Sequence, residues 1–438
     1  MILQRPFLTD LDPRARIKGS RDPLGFQPLW AALGRSLVEN LTTVTVSLRG
    51  FTTVILGFYY VDRLVEEGKV LQENYTDTFL KFEQLAAYSR VACRDESKGI
   101  RFDEDEIRGI LRVMRNLSEG LVRISAQQKH QILSSQRTYG LWGLYTVASR
   151  TSGLIDKEQV RLLPTTTEFI EAEYARKLGS ESSAILRFLE RDRDFDPKGK
   201  DANLAMRLAE LMSPELTKAE KQFYLQHLLL SDKEEGIQRR VWENMKSLND
   251  SGAASWGKPF SIVELKELIK QARTSGDADL SERSEHIKHL ESVIAPAARL
   301  FSFLLSRSGQ LVDTIAKQVK TTWGDVLSSL DVQAIREAII ATGAATSSEE
   351  LERLVVLADQ LKKADYRTGV ETMLERNRIV MHDRGAAPWM NIKKGKLDVR
   401  LSEEPRELPP RKEVRSLWAN SYFLTSLKSV GYQIVKAG

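Results

Sequence analysis

The densest group of residues that could carry chemistry lies between residues 375 and 384. A histidine beside carboxylates can move a proton near neutral pH, so Glu375, His382 and Asp383 are candidates for acid–base catalysis. The arginines of this stretch could instead bind phosphate through paired hydrogen bonds; they are Arg376, Arg378 and Arg384. Such a group is also typical of ion pairs between structural elements, which is the more frequent arrangement. The sequence leaves these three interpretations open.

Two other groups of cations could contact nucleic acid. Three lysines surround Gly395 between two short segments of strand-like pattern, which predicts a β-hairpin near residues 389–401 with a basic tip. These lysines are Lys393, Lys394 and Lys396. Residues 1–25 lack apolar periodicity and carry Arg14 and Arg16, which predicts an extended basic arm. Either group could hold phosphate in a salt-dependent manner, or could simply form a well-solvated surface.

One segment comes close to a phosphate-binding loop. Residues 252–259 match the spacing of that loop from Gly252 to Lys258. The next position should supply a hydroxyl group and a backbone N–H, and Pro259 has neither. We therefore interpret the segment as a linker and predict no nucleotide cofactor.

Two candidate metal motifs are incomplete. Three alternating aspartates begin like a calcium loop, but Pro197 occupies the position where that loop needs a glycine; the aspartates are Asp192, Asp194 and Asp196. His286 and His289 lie one helical turn apart, yet no third or fourth ligand is indicated. The sequence therefore predicts no metal site.

The segment from Arg137 to Arg150 is unusually rich in aromatic residues and glycines. On a helix its three aromatic residues fall on neighbouring turns; they are Tyr139, Trp142 and Tyr145. Because Gly140 and Gly143 leave the backbone open to close approach, we interpret the aromatic residues as core or interface anchors. Stacking on nucleic-acid bases is the alternative. If the first interpretation is right, a bulky residue at position 143 should disrupt the fold.

Amphipathic periodicity over most of the chain predicts a mainly α-helical protein. Residues 249–259 are rich in Ser, Gly and Ala and divide the chain into an N-terminal helical region, residues 26–250, and a C-terminal region, residues 260–438. Residues 42–60 combine strand-like alternation with a long apolar run, so strand and buried helix are equally compatible there.

Composition narrows the cellular setting more than the function. The 438-residue chain carries a mild net charge of +5 and one cysteine, Cys93, which excludes an internal disulfide and favours a reducing compartment. Phe51–Val61, the most apolar segment, is too short to span a bilayer, and residues 1–19 contain no signal-like apolar run. We therefore expect a cytoplasmic protein without a membrane contact.

The absence of a motif with a self-sufficient mechanism favours a non-catalytic role. We expect a helical subunit or adaptor that binds other protein subunits, within an assembly that handles DNA or RNA. One alternative is an enzyme, such as a nuclease or another hydrolase, centred on the loop from His382 to Arg384. The other is a structural protein that assembles with copies of itself, without nucleic acid.

Overall fold

The computed structural model describes residues 22–95, 107–230, 236–344, 347–401 and 406–436. Within these ranges the chain is mainly α-helical, which confirms the predicted fold class. Most of the predicted basic arm, including Arg14 and Arg16, lies outside the described residues. In the ranges given, no helix combines the length and apolar character needed to cross a bilayer.

The elements are numbered along the chain. The helices are α1 (Gln27–Arg35), α2 (Leu48–Glu66), α3 (Tyr75–Ala92), α4 (Ile110–Ser118), α5 (Gln136–Tyr139), α6 (Leu141–Thr151), α7 (Pro164–Ile170), α8 (Arg176–Leu178), α9 (Glu181–Glu190), α10 (Ala202–Leu211), α11 (Lys218–Tyr224), α12 (Ile237–Asp250), α13 (Ile262–Ser275), α14 (Ala278–Leu304), α15 (Val312–Trp323), α16 (Val332–Ala341), α17 (Ser348–Lys362), α18 (Tyr366–Asp383), α19 (Arg411–Val414) and α20 (Leu424–Val435). The strands are β1 (Val122–Ile124), β2 (Arg193–Phe195), β3 (Met390–Lys393) and β4 (Lys396–Val399).

The chain forms two compact units, each built from two separate stretches of sequence. Unit 1 comprises Met1–Leu37 and Phe260–Tyr422, and unit 2 comprises Val38–Pro259 and Phe423–Gly438. One of the three points at which the chain passes from one unit to the other lies at the end of the predicted linker. The last helix, α20, belongs to unit 2, so sequence order and spatial grouping differ at both ends of the chain.

Unit 1 is organised around α14, which packs against α1, α13 and α16. The predicted β-hairpin is present here as β3 and β4, with Met390 paired to Val399 and Lys393 to Lys396. Its turn residues Lys394 and Gly395 have φ angles of 50° and 73°. Positive φ at both positions is the geometry of the tight turn that suits the right-handed twist of the strands.

Unit 2 is organised around α2, which resolves the ambiguity in residues 42–60. Ser47 caps the helix through its hydroxyl group, which accepts a hydrogen bond from Gly50 N. Residues 51–61 are all buried, and α2 packs against α3, α6, α7 and α9. The strand-like alternation falls largely on the irregular segment before the cap, which contains a turn at residues 43–44. Because α2 is buried on every side here, it needs no polar face, which explains the continuous apolar run.

The aromatic segment forms two helices instead of one. The chain breaks at Gly140, between α5 and α6, and the break turns the aromatic side chains in different directions. Trp142 stacks on Phe58 with ring centroids 5.4 Å apart, and Tyr145 meets Phe51 edge-on at 4.9 Å. Tyr139 is 55% exposed, so it is not a core anchor. Trp142 and Tyr145 therefore pack against core aromatic residues, whereas an interface role for the exposed Tyr139 stays a prediction.

Gly143 allows the backbone of α5 to lie directly against α6. A Cβ atom at this position would lie 2.7 Å from the carbonyl carbon of Thr138, with the carbonyl oxygen closer still. We expect Gly143→Ala to destabilise the protein by about 1–3 kcal/mol, and Gly143→Leu by more, because backbone cannot move aside as a side chain can. Urea unfolding measures the change. Gly369→Ala is the control, because its Cβ would meet only Leu361 at an ordinary 3.9 Å; a Gly143→Ala protein as stable as this control would contradict the prediction.

A small sheet in unit 2 has no clear sequence signal. The amphipathic pattern that starts at Ile107 predicts one helix through Ile124, but α4 ends at Ser118. Gly120 then adopts a φ angle of 115°, and β1 pairs antiparallel with β2, which lies about 70 residues further along the chain. Three-residue strands are too short to show alternation, which explains why this pairing was not predicted.

Candidate ligand-binding cleft

The predicted catalytic and phosphate cluster lies at the end of α18 in unit 1. Arg376 is 3% exposed, and its guanidinium donates to Leu24 O at 2.5 Å, to Gly25 O at 3.2 Å and to a Glu350 carboxylate oxygen at 3.0 Å. Burial lowers the pKa of Arg376, although Glu350 opposes this effect. The N–H groups of the Arg376 guanidinium therefore bind acceptors inside unit 1.

The other members of this cluster lie at the surface. Arg378 pairs with Glu375 at 2.6 Å, and Arg384 donates to Asp22 O at 2.6 Å. The side chains of His382 and Asp383 lie 3.5 Å apart and are 81% and 72% exposed. Water thus surrounds the groups that acid–base catalysis would require to be positioned and shielded.

The predicted hairpin is fixed to unit 1 close to its turn. Gly395 O accepts a hydrogen bond from Val312 N at 3.0 Å, and Leu397 N donates to Gln310 O at 2.9 Å. Lys393 pairs with Asp398 at 2.6 Å. Lys394 and Lys396 are exposed, so a nucleic-acid contact at this hairpin stays a prediction.

Three residues of the incomplete metal motifs have protein partners. Asp192 pairs with Lys81 at 2.9 Å, Asp194 pairs with Arg123 at 3.0 Å, and His289 lies 3.3 Å from Glu285. Among the residues that the structure describes, no group of three or more His, Cys, Asp or Glu side chains is placed to hold a metal ion.

The segment that resembles a phosphate loop instead borders a cleft in unit 2. It is an irregular loop between α12 and α13, and residues 256–259 form one wall of a cavity of about 660 Å³. Residues 44–49, at the start of α2, form the floor. The remaining walls come from Leu141 and Tyr145 of α6 and from one face of α20. We call this cavity the basic cleft.

The charged residues that line the basic cleft are all cations. They are Arg49, Arg108, Lys258 and Lys436. No aspartate or glutamate lines the cleft within the described ranges, although the chain has 60 acidic residues. The two lysines are exposed at the rim, where their charge is available to a ligand. Cations that converge on a concave surface favour an anionic ligand.

Unit 2 has a second, larger cleft of opposite charge, with a volume of about 1210 Å³. Five carboxylates line it and only two arginines, Arg63 and Arg161; the carboxylates are Asp62, Glu66, Asp156, Glu168 and Glu171. Desolvation raises the pKa of Asp62 to about 6, against hydrogen bonds from Leu162 N and Tyr75. The basic cleft is therefore a local arrangement and not a consequence of the small net charge of the chain.

Aromatic rings accompany the cations. Trp256, in the loop, and Tyr432, on α20, are half-buried, with ring centroids 6.4 Å apart and planes inclined by 18°. The ammonium group of Lys436 lies 5.9 Å from the centre of the Tyr432 ring. Rings that present partly exposed faces beside cations match the chemistry of a base next to a phosphate.

Side chains from two other helices fix the floor of the cleft. Ser47 N donates to Tyr145 Oη at 3.3 Å, and Leu48 N donates to Gln433 Oε1 at 2.9 Å. Gln433 also donates to Val46 O at 2.7 Å. The start of α2 is thereby tied to α6 and α20. The partial positive charge of this helix start adds to the charges of Arg108, Lys258 and Lys436.

A buried ion pair lies beneath this floor. Arg49 bonds Glu220 at 2.5 Å, and the same carboxylate accepts from Tyr174 Oη at 2.5 Å and from Thr217 N at 2.6 Å. Burial favours the neutral form of Glu220, but Arg49 and the hydrogen bonds outweigh it and hold the pKa of Glu220 below its ordinary value. The pair therefore stays charged, with both members 3% exposed.

Glu83 supports the α6 wall from inside the protein. It accepts hydrogen bonds from Leu141 N at 2.7 Å and from Gln136 Nε2 at 2.9 Å. Gly140 leaves space for this carboxylate, since a Cβ there would lie 2.7 Å from its oxygens. Desolvation raises the pKa of Glu83 from 4.5 to about 7, against those hydrogen bonds and the charge of Arg108.

The raised pKa of Glu83 predicts a pH-dependent stability. Between pH 4.5 and about 7 the folded protein binds a proton at Glu83 that the unfolded chain releases, so this contribution to stability falls as the pH rises. We expect the stability of Glu83→Gln relative to the wild type to shift in favour of the variant by about 3 kcal/mol between about pH 5 and pH 8. Urea unfolding of both proteins measures it. A difference that is independent of pH would contradict it.

The sequence shows only fragments of the basic cleft. It predicts Tyr145 as a core or interface anchor, and it contains the incomplete phosphate loop at residues 252–259. Arg49, Arg108, Tyr432 and Lys436 carry no local signal, because they are brought together by folding from distant parts of the chain. The comparisons with known proteins add no assignment: no protein-family model, no curated protein and no solved structure matches this chain.

Proposed function

We propose that this protein is a non-catalytic helical binding subunit that holds single-stranded nucleic acid in the basic cleft of unit 2. The observation that carries the proposal is a cavity of about 660 Å³ whose described charged residues are all cations, of which only Arg49 is neutralised by a buried ion pair. The half-buried rings of Trp256 and Tyr432 line the same cavity. Proteins that bind single strands combine these two features, because cations hold the backbone and rings stack on unpaired bases.

Binding is better supported than catalysis at the end of α18. His382 is largely solvated, and its nearest carboxylate, Asp383, is equally exposed. A catalytic acid or base usually has a pKa set by burial and by fixed neighbours. The nuclease alternative therefore has no supporting geometry at this position.

A protein partner is the second part of the proposal. Leu111 and Met114 lie one turn apart on α4 and are 81% and 47% exposed, and Leu121 follows at 66%. Apolar side chains exposed together on one helical face are typical of a surface that another protein covers. The partner is either a different subunit or a second copy of this chain. Sedimentation of the purified protein, together with isolation from its host with and without nuclease treatment, distinguishes the two.

A binding titration tests the nucleic-acid part. A fluorescently labelled single-stranded oligonucleotide of about 20 nucleotides, as DNA and as RNA, is titrated with the full chain at low salt. We expect saturable binding that weakens as salt increases, because the lysines displace condensed counterions. The absence of binding to either strand at low salt would refute the proposal.

A further inference from the structure

The arrangement of Trp256 and Tyr432 suggests how the cleft recognises its ligand. Their rings are close to parallel, with centroids 6.4 Å apart. A base stacked between two aromatic rings lies about 3.4 Å from each, so the ring planes must be about 6.8 Å apart. The two rings are slightly closer than this and would move apart a little when a base enters. We infer that Trp256 and Tyr432 form a slot that takes one unpaired nucleobase between them, with its flanking phosphates on Lys258 and Lys436. This inference rests on the proposed function.

The Trp256 side of the slot is supported from behind. Trp256 packs on Trp242, with ring centroids 5.8 Å apart, and Trp242 is buried. A Cβ at Gly431 would lie 2.7 Å from Cη2 of Trp242 and closer still to Cζ3, so the backbone of α20 rests directly on that ring. Trp242 thus connects Trp256 to the helix that carries Tyr432. One face of the slot is therefore backed by a buried ring.

Each ring of the slot has its own cation. Lys436 follows Tyr432 by one helical turn and lies over its ring, and Lys258 follows Trp256 by two residues in the loop. Both lysines line the same cleft as the rings, so a base between the rings has cations in the cleft for its flanking phosphates. A duplex does not present an unpaired base to such a slot, so the slot favours single strands.

Ring removal tests the slot. We expect Trp256→Ala and Tyr432→Ala each to weaken the binding of an oligonucleotide by roughly 5- to 100-fold, the range measured when a stacking ring is lost. Trp256→Phe and Tyr432→Phe keep a ring and should bind within about threefold of the wild type. Tyr139→Ala is the matched control, because it removes an exposed aromatic ring of unit 2 that does not line the cleft.

The choice of ligand separates the slot from simple charge attraction. A strand of the same length that lacks bases should bind wild type, Trp256→Ala and Tyr432→Ala equally. If the intact strand also binds all three equally, the slot is refuted while the proposed function stands. If the wild type binds no strand at all, both are refuted. If a free nucleoside monophosphate competes as well as the strand, the ligand is a single nucleotide. The slot would then stand, and the proposal that the cleft holds a nucleic-acid strand would be refuted.

A measurement without any substitution guards against misfolded variants. A 2-aminopurine base in the oligonucleotide loses fluorescence when it is stacked between rings. We expect quenching on binding to the wild-type protein. Binding of the wild type without any change in 2-aminopurine fluorescence would overturn the slot.

Discussion

Replacing Lys258 and Lys436 together by glutamate is expected to weaken the binding of a single-stranded oligonucleotide by roughly 25-fold or more at about 0.1 M salt. Each lysine–phosphate contact on a single strand contributes about 0.7 to the slope of log affinity against log salt, which corresponds to about fivefold at this salt concentration. Losing two contacts should therefore lower the slope by about 1.4, and the repulsion from two new carboxylates weakens binding further. Fluorescence anisotropy at several salt concentrations measures both quantities.

The hairpin of unit 1 offers a control of equal charge. Lys394→Glu with Lys396→Glu changes the net charge of the chain by the same amount, at two exposed lysines outside the cleft. If the cleft holds the strand, this variant should keep the wild-type salt slope. If instead only the hairpin variant lowers the slope of log affinity against log salt, the nucleic-acid contact lies at the hairpin, as the sequence predicts.

Removing one member of the buried ion pair is expected to have the largest effect on stability. Arg49→Met leaves Glu220 buried without its cation, and we expect a loss of about 3–5 kcal/mol in the free energy of unfolding. The carboxylate would still be held by Tyr174 and Thr217. Its proton affinity should rise, so acid would destabilise the variant less than the wild type, in which the lowered pKa of Glu220 gives stability that is lost as the pH falls.

The double variant separates the cost of an unpaired charge from the value of the pair. Arg49→Met with Glu220→Gln removes both charges and keeps an acceptor for Thr217 N. We expect it to recover most of the stability lost in Arg49→Met, because replacing both members of a buried pair is often close to neutral. Urea unfolding of the four proteins gives the coupling energy. A single Arg49→Met variant that loses less than about 1 kcal/mol would show that the pair is not desolvated as described.

Local sequence patterns predicted the elements that depend on local chemistry. Helical periodicity predicted the fold class, and the lysines around Gly395 between two strand-like segments predicted the hairpin. Each of these features depends on residues within one or two turns of each other. Local patterns predict poorly where the structure of a segment depends on a residue far away in the sequence. The short strand β1 is an example, because it forms by pairing with the distant strand β2.

Burial explains why the candidate residues were harder to rank. Arg376 and Arg378 look equivalent in sequence, yet one points into unit 1 and the other into solvent. Tyr139 and Tyr145 are likewise equivalent on a continuous helix, and the break at Gly140 gives them opposite environments. The cleft itself joins residues near positions 48, 145, 256 and 432, a combination that no single window of sequence can show.

Photo-cross-linking tests most directly whether the basic cleft holds a single strand. An oligonucleotide with a photoreactive base is irradiated with the full chain, and the cross-linked peptides are identified by mass spectrometry. We expect cross-links at Trp256 and Tyr432 that disappear when an excess of unlabelled strand is added. Cross-links confined to residues 393–396, with none in the cleft, would contradict the assignment.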